Sequence, residues 1–133
     1  MEKIGISATA DIEAFFQAYN ERDYDALFEK YMAEDCLWHA SERALKGKRE
    51  ILDYWQKSHS AFRETLGRPE NVVFGNGRVY LQVKIQLDFV EDGTFYGRSY
   101  KKGDVCHFGC ADYYEFDAAG KIKHGLVYTK FVD

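Results

Sequence analysis

Proline occurs once in 133 residues, at Pro69, and no Pro- or Ser-rich linker, internal repeat or low-complexity segment divides the chain. A single domain over residues 1–133 is expected. Cysteine is also scarce: Cys36, Cys106 and Cys110 are odd in number and form no CxxC. On one strand Cys106 and Cys110 would stand ~13 Å apart, too far for a disulfide. Reduced thiols in a cytoplasmic protein are the simplest reading. No apolar run approaches the roughly 18 residues of a membrane span, and the opening MEKIGISATAD lacks the apolar core of an export signal. A soluble protein with no membrane partner is expected. Basic charge is not in excess: 18 Lys and Arg stand against 22 Asp and Glu, for a net charge of −4. That balance argues against nucleic acid as a partner. No glycine-rich loop precedes a helix, and the four His and three Cys show no recurring ligand spacing. Neither a cofactor nor a metal is expected.

What the chain has in quantity is aromatic side chains: ten Tyr and ten Phe help bring the aromatic share to 17%. Flat, partly polar rings suit the lining of a small-molecule cavity, and equally the core of a dimer interface.

The first half reads as helical. Thr9 can cap a helix with Asp11 and Glu13 in its first turn, and Ile12, Phe15, Phe16 and Tyr19 share one face. Asp23 caps a second helix with Tyr24, Leu27, Phe28 and Tyr31 inward, ending near Glu34 and Asp35. A short strand, Cys36 to Ala40, follows. The polar segment Ser41 to Lys48 then leads into a third helix. There Ile51, Tyr54, Trp55, Ser58 and Phe62 mark one face, and Gly67 and Pro69 stop it.

From Glu70 the period changes to two. Val79, Leu81, Val83, Ile85, Leu87 and Phe89 alternate with polar residues, and Asn76-Gly77 and Asp92-Gly93 supply hairpin turns. The order of elements predicts an α+β fold: a curved antiparallel meander of four main strands forms a cone, with three N-terminal helices on its concave face.

The last hairpin, Gly103 to Val132, carries the strongest chemical signal. Cys106, Phe108, Cys110, Asp112, Tyr114 and Phe116 share one parity and are predicted to face the core, unless Gly109 hosts a bulge and flips the residues before it. Asp112 is the one acid on that row, and an ionised carboxylate there is costly unless paired, hydrogen-bonded or kept protonated. It reads either as a tuned acid/base or as a structural carboxyl bonded to a core tyrosine. If Asp117 to Gly120 is a four-residue loop, Phe116 pairs with Lys121 and Asp112 with Gly125. Ile122, His124, Leu126 and Tyr128 then lie outside, a face suited to a homodimer.

The three-helix, curved-meander order, with GTFYGR, KKGDV and ADYYEFDAAGKI in the C-terminal half, resembles the SnoaL-like branch of the nuclear-transport-factor-2-like (cystatin-like) superfamily. That superfamily includes ketosteroid isomerase, scytalone dehydratase, limonene epoxide hydrolase and polyketide cyclases. The resemblance implies that Asp112 is an acid/base, or a protonated acid that donates a hydrogen bond to an oxyanion; the isomerase is a standard example of such an acid. Two positions depart from the isomerase: its oxyanion tyrosine falls on Phe15, and its base falls near His39 and Ala40. The final aspartate of the epoxide hydrolase falls near Val127.

The expected catalytic residues are Asp112 and, as an auxiliary or orienting group if its ring turns inward, His39. Phe15, Tyr19, Tyr54, Trp55, Phe108 and Tyr114 are expected to line the pocket, with core packing the simpler role for the aromatic stripe. The expected function is cofactor-free isomerisation, cyclisation or dehydration of a small apolar or aromatic carbonyl compound. The alternative is a non-catalytic binding or accessory domain for an apolar ligand.

Overall fold

A computed structural model describes residues 6–40 and 43–131. Ser41 and Glu42 of the expected polar segment, the start of the N-terminal lead and Val132 at the end of the last hairpin lie outside them. Helix α1 (Thr9–Asn20) buries Ile12, Phe15, Phe16 and Tyr19, the expected stripe. Its N-cap is Ala8 rather than Thr9. The end is tied instead by the Asp11 carboxylate, which accepts the backbone N–H groups of Ser7 and Ala8 at 2.9 Å each. Helix α2 (Tyr24–Tyr31) is capped by Asp23, whose Oδ1 accepts the Ala26 N–H at 3.2 Å, and buries Leu27, Phe28 and Tyr31. It ends at Tyr31 rather than near Glu34, because strand β1 (Met32–Ala40) begins directly after it. Strand β2 (Arg43–Lys46) falls inside the segment read as polar, and forms a hairpin with β1. Helix α3 is Lys48–Ser58.

The third helix stops earlier than its periodicity suggests. Phe62–Leu66 is a strand, β3, paired antiparallel to strand β5 (Arg78–Phe89). Gly67 and Pro69 therefore separate two strands, β3 and β4 (Glu70–Gly75), which pair with different stretches of β5. Asn76 and Gly77 take positive φ angles of 49° and 71°, as a tight hairpin requires. Asp92-Gly93 does not make such a turn. It opens a small hairpin of β6 (Gly93–Phe95) and β7 (Arg98–Tyr100), and Tyr96 and Gly97 adopt the positive φ angles there. Gly93 serves a different purpose, since a Cβ at this position would stand 2.7 Å from the Ala61 Cβ.

The two long C-terminal strands are β8 (Val105–Phe116) and β9 (Ile122–Phe131). Among the described residues the main sheet runs β2-β1-β9-β8-β5-β3, with β4 also on β5. It is mixed rather than wholly antiparallel, because β1 and β9 run parallel. This strongly curled sheet and three helices form an α+β half-barrel. Its concave face is lined by alternate residues: Val79 to Phe89 from β5, Cys106, Phe108, Cys110, Asp112 and Tyr114 from β8, and Cys36 and Trp38 from β1. Gly109 stays in register with Lys84 and Lys130, so no bulge disturbs the parity before Asp112.

The register of the last hairpin differs from expectation. Phe116 pairs with Ile122 but Glu115 with His124, so a shift lies beside Lys123, and Asp112 faces Val127 instead of Gly125. An extra residue on one strand reverses the faces on either side of it. Ile122 is accordingly fully buried, while His124, Leu126 and Tyr128 do lie on the outer face.

Candidate functional site

Asp112 and Glu64 are the buried charged residues of the described chain, each 8% exposed. Strand β8 turns Asp112 inward, and β3 turns Glu64 inward across the same concave face. Tyr114, two residues along β8, donates its hydroxyl to Asp112 Oδ2 at 2.6 Å. Oδ1 is buried and has no partner. Loss of water pushes the Asp112 carboxyl up to about 7, the charge of Glu64 adds to the rise, and the Tyr114 hydrogen bond opposes it. Burial, then the Asp112 charge, raises the Tyr114 phenol well above its usual range.

Tyr114 is held by aromatic neighbours. Trp38 stacks on it at 6.0 Å and 28°, and Phe15 meets it edge-on at 6.0 Å. Trp38 has room only because position 125 lacks a side chain: a Cβ there would lie 2.3 Å from the indole ring. The indole Nε1 of Trp38 is, like Asp112 Oδ1, buried without a partner. A buried unpaired polar group costs about 1–3 kcal/mol. Two of them on one concave face suit a ligand oxygen better than they suit stability.

Around Glu64 lies a second cluster. Tyr19 donates its hydroxyl to Glu64 Oε1 and accepts the Trp55 Nε1–H at 2.7 Å. His59 Nε2 lies 3.3 Å from the same carboxylate oxygen. The His59 ring stacks on Trp55 at 5.1 Å and 15°. Burial first, and the Glu64 charge second, raise the Tyr19 phenol well above its usual range. The cluster is set in place by Asn20, whose side-chain amide donates to the Leu66 carbonyl at 2.9 Å and accepts the Leu66 N–H at 2.8 Å. The C-terminus of α1 is thereby locked to β3, and Tyr19 to Glu64.

The expected site residues therefore separate. Asp112, Tyr114, Phe15, Tyr19 and Trp55 come together on the concave side. Phe108 also points inward but joins a ring cluster with Phe95 and Phe131, at 5.0 and 5.7 Å. Tyr54 is half-buried beneath the Arg43 guanidinium, 5.1 Å from its ring centre. His39 does not turn inward. Cys36 and Trp38 take the concave parity of β1, and His39 meets His124 on the outer face, Nδ1 to Nε2 at 3.0 Å. Its expected place in the pocket is corrected by that parity. Burial, and after it the Asp112 charge, pushes the Cys110 thiol up to about 12, so it stays a thiol at neutral pH. Among the described residues, no three His, Cys, Asp or Glu side chains converge as a metal site would need.

Sequence reasoning missed Glu64 and His59. Glu64 lay in the stretch assigned to the third helix, although Phe62, Glu64 and Leu66 alternate with polar residues and could have marked a short strand. Two surface grooves, of about 650 and 460 Å³, lie by the β4–β5 turn and on the outer face beside Tyr80 and Tyr128. The buried polar groups face the concave interior instead.

The SnoaL-like domain matches residues 12–125. The chain belongs to that family. Solved structures repeat its curled sheet and three helices. A SnoaL-like polyketide cyclase from Agrobacterium tumefaciens superposes with a TM-score of 0.73 at 14% identity, over 94% of this chain and 93% of its own. The epoxide hydrolase/cyclase-like enzyme SalBIII, described for pyran ring formation in the polyether salinomycin, gives 0.70 at 17%, over 89% and 86%. An epoxide hydrolase of Mycobacterium tuberculosis, of the LEH-like type, gives 0.68 at 14%, over 90% and 79%. At these identities the likeness is one of fold. No curated protein matches the chain by sequence. This SnoaL-like chain thus shares its architecture with proteins described as cyclases and epoxide hydrolases.

Proposed function

We propose that this SnoaL-like protein is a cofactor-free enzyme that moves protons on a small, largely apolar carbonyl compound, polyketide- or terpenoid-like, in an isomerisation, cyclisation or dehydration. Asp112 is the acid. The observation that carries this reading is its buried carboxyl: one oxygen is held by Tyr114, and the other, Oδ1, is unpartnered on the concave face. A carboxyl that keeps its proton near neutrality can donate to a carbonyl oxygen as negative charge develops there. The surrounding rings of Phe15, Trp38 and Tyr114 hold an apolar skeleton and keep water away. The fold shared with cyclases and epoxide hydrolases supports the reaction class.

The test is Asp112→Asn, assayed on a panel of enolisable ketones. Turnover falls at least about 100-fold while ligand affinity is largely kept; unaltered turnover would sink the proposal. The rival reading, a non-catalytic domain that binds an apolar ligand, draws on the dense aromatic packing of the interior. It expects ligand binding but no turnover in the wild type.

A further inference from the structure

The proton arrangement around His59 is set by its neighbours. His59 Nδ1 lies 2.9 Å from the Trp55 carbonyl oxygen. Ser58 Oγ, 3.0 Å from Nδ1, turns its own hydrogen to the same carbonyl at 3.3 Å, and a carbonyl only accepts, so Nδ1 bears a hydrogen. Nε2 then faces Glu64 Oε1 at 3.3 Å. Tyr19 cannot supply a hydrogen to Nε2, because its hydroxyl accepts from the Trp55 indole and donates to the same Glu64 oxygen. A bare Nε2 opposite a bare carboxylate would set two lone pairs against each other. One proton must therefore lie between His59 and Glu64. With Tyr19 and His59 both serving Oε1, the second oxygen, Oε2, makes no hydrogen bond among the described residues.

We propose that Glu64 and His59 form a proton-sharing dyad, positioned by Tyr19 and Trp55, and that Glu64 Oε2 is the base acting on substrate carbon while Asp112 serves the substrate oxygen. The inference rests on the reading of Asp112 as the acid, and it narrows the substrate to an enolisable ketone with an acidic C–H group. In the resting dyad the shared proton is on His59, and Glu64 is a carboxylate. The C–H bond breaks and its proton goes to Glu64 Oε2. The bonding pair forms the enol C=C, and the carbonyl π pair takes the proton of Asp112. The enol then regains a proton from Glu64, at the same carbon or at one conjugated to it, and Asp112 recovers its own. At each stage one of the two carboxyls is neutral. The buried interior never holds two carboxylates, which their mutual repulsion would penalise.

The probe is 2-tetralone in D2O, with loss of its C1 proton signal followed by NMR. Wild type exchanges that proton faster than buffer. Glu64→Gln loses at least about 100-fold of the enzymatic rate. His59→Gln, which keeps a hydrogen-bond donor beside Oε1 but has no proton to share, loses less, and the loss falls in kcat with KM for 2-tetralone unchanged. A purely structural role for His59 would be rescued by that donor and leave kcat as in the wild type. Exchange that persists in Glu64→Gln but is lost in Asp112→Asn overturns the dyad and leaves the acid standing. Exchange in wild type no faster than in buffer overturns both. If Glu64→Gln fails to fold, nitrogen-15 NMR of His59 in the wild type decides. Two protonated ring nitrogens in the resting protein support the dyad, and a neutral ring overturns it.

Discussion

Asp112 ties the stability of the protein to pH in a direction unusual for an acid. Its carboxyl ionises near 3.8 in an ordinary setting and at about 7 in the folded interior. Between those values the folded state binds more protons than the unfolded chain. Its contribution is therefore fully present below about pH 4 and is lost as pH rises through 7. Asp112→Asn removes this slope and can still accept the Tyr114 hydroxyl. From pH 4 to pH 8 the variant should gain up to about 4 kcal/mol on the wild type, read from urea midpoints at the two pH values; parallel curves would contradict the buried neutral acid. Gly125 is the second residue with an outsized part. Alanine there would drive a methyl group into the Trp38 ring, at 2.3 Å. Overpacking of this kind costs about 1–3 kcal/mol. The expected result is a lower melting temperature and red-shifted tryptophan emission, with partial recovery when Trp38→Leu is added. A Gly125→Ala variant as stable as the wild type would show that Trp38 can lie elsewhere.

Asn20 clamps α1 to β3 through Leu66, by two hydrogen bonds of 2.9 and 2.8 Å. Asn20→Ala leaves both Leu66 backbone groups unpaired and should cost about 2 kcal/mol. It should also speed amide exchange at Leu66, with unchanged exchange as the contrary result. The clamp shows what a sequence reading could and could not reach. The parity of β8 was legible because buried residues alternate with more exposed ones from Val105 to Asp112 in one long strand, and carrying that alternation on placed Asp112 and Tyr114 together. The stripe of α1 likewise delivered Phe15 and Tyr19. Strand β3 was not legible, because Phe62 falls four residues after Ser58 and so extends the helical face of α3. Five residues are too few for period two to outweigh that continuation. Glu64 was lost with β3, and with it the polar half of the site. The face of Ile122 was lost for another reason: it depends on a single register shift beside Lys123, which side-chain alternation does not encode.

Over the whole molecule, the convex side of the sheet is rich in exposed rings, with Tyr80 at 55% and Tyr128 at 63%. The expectation of a homodimer through this face is testable by sedimentation equilibrium, as twice the 15.5 kDa mass of the chain. Tyr128→Glu should favour the monomer without disturbing Asp112, which lies on the opposite side. A wild-type protein that sediments as a monomer would refute the dimer. The parallel pairing of β1 with β9 orders events in time. On its far edge β1 has only the short β2 hairpin, and its other neighbour in the sheet is the last strand of the described chain. During synthesis, then, Trp38 leaves the ribosome long before the glycine it must lie against. The early helices emerge with the edge of β1 unpaired and their apolar faces uncovered. Contacts this distant in sequence slow folding and prolong exposure, so the nascent chain should need shelter until β9 arrives, and the interior around Asp112 should be among the last parts to close.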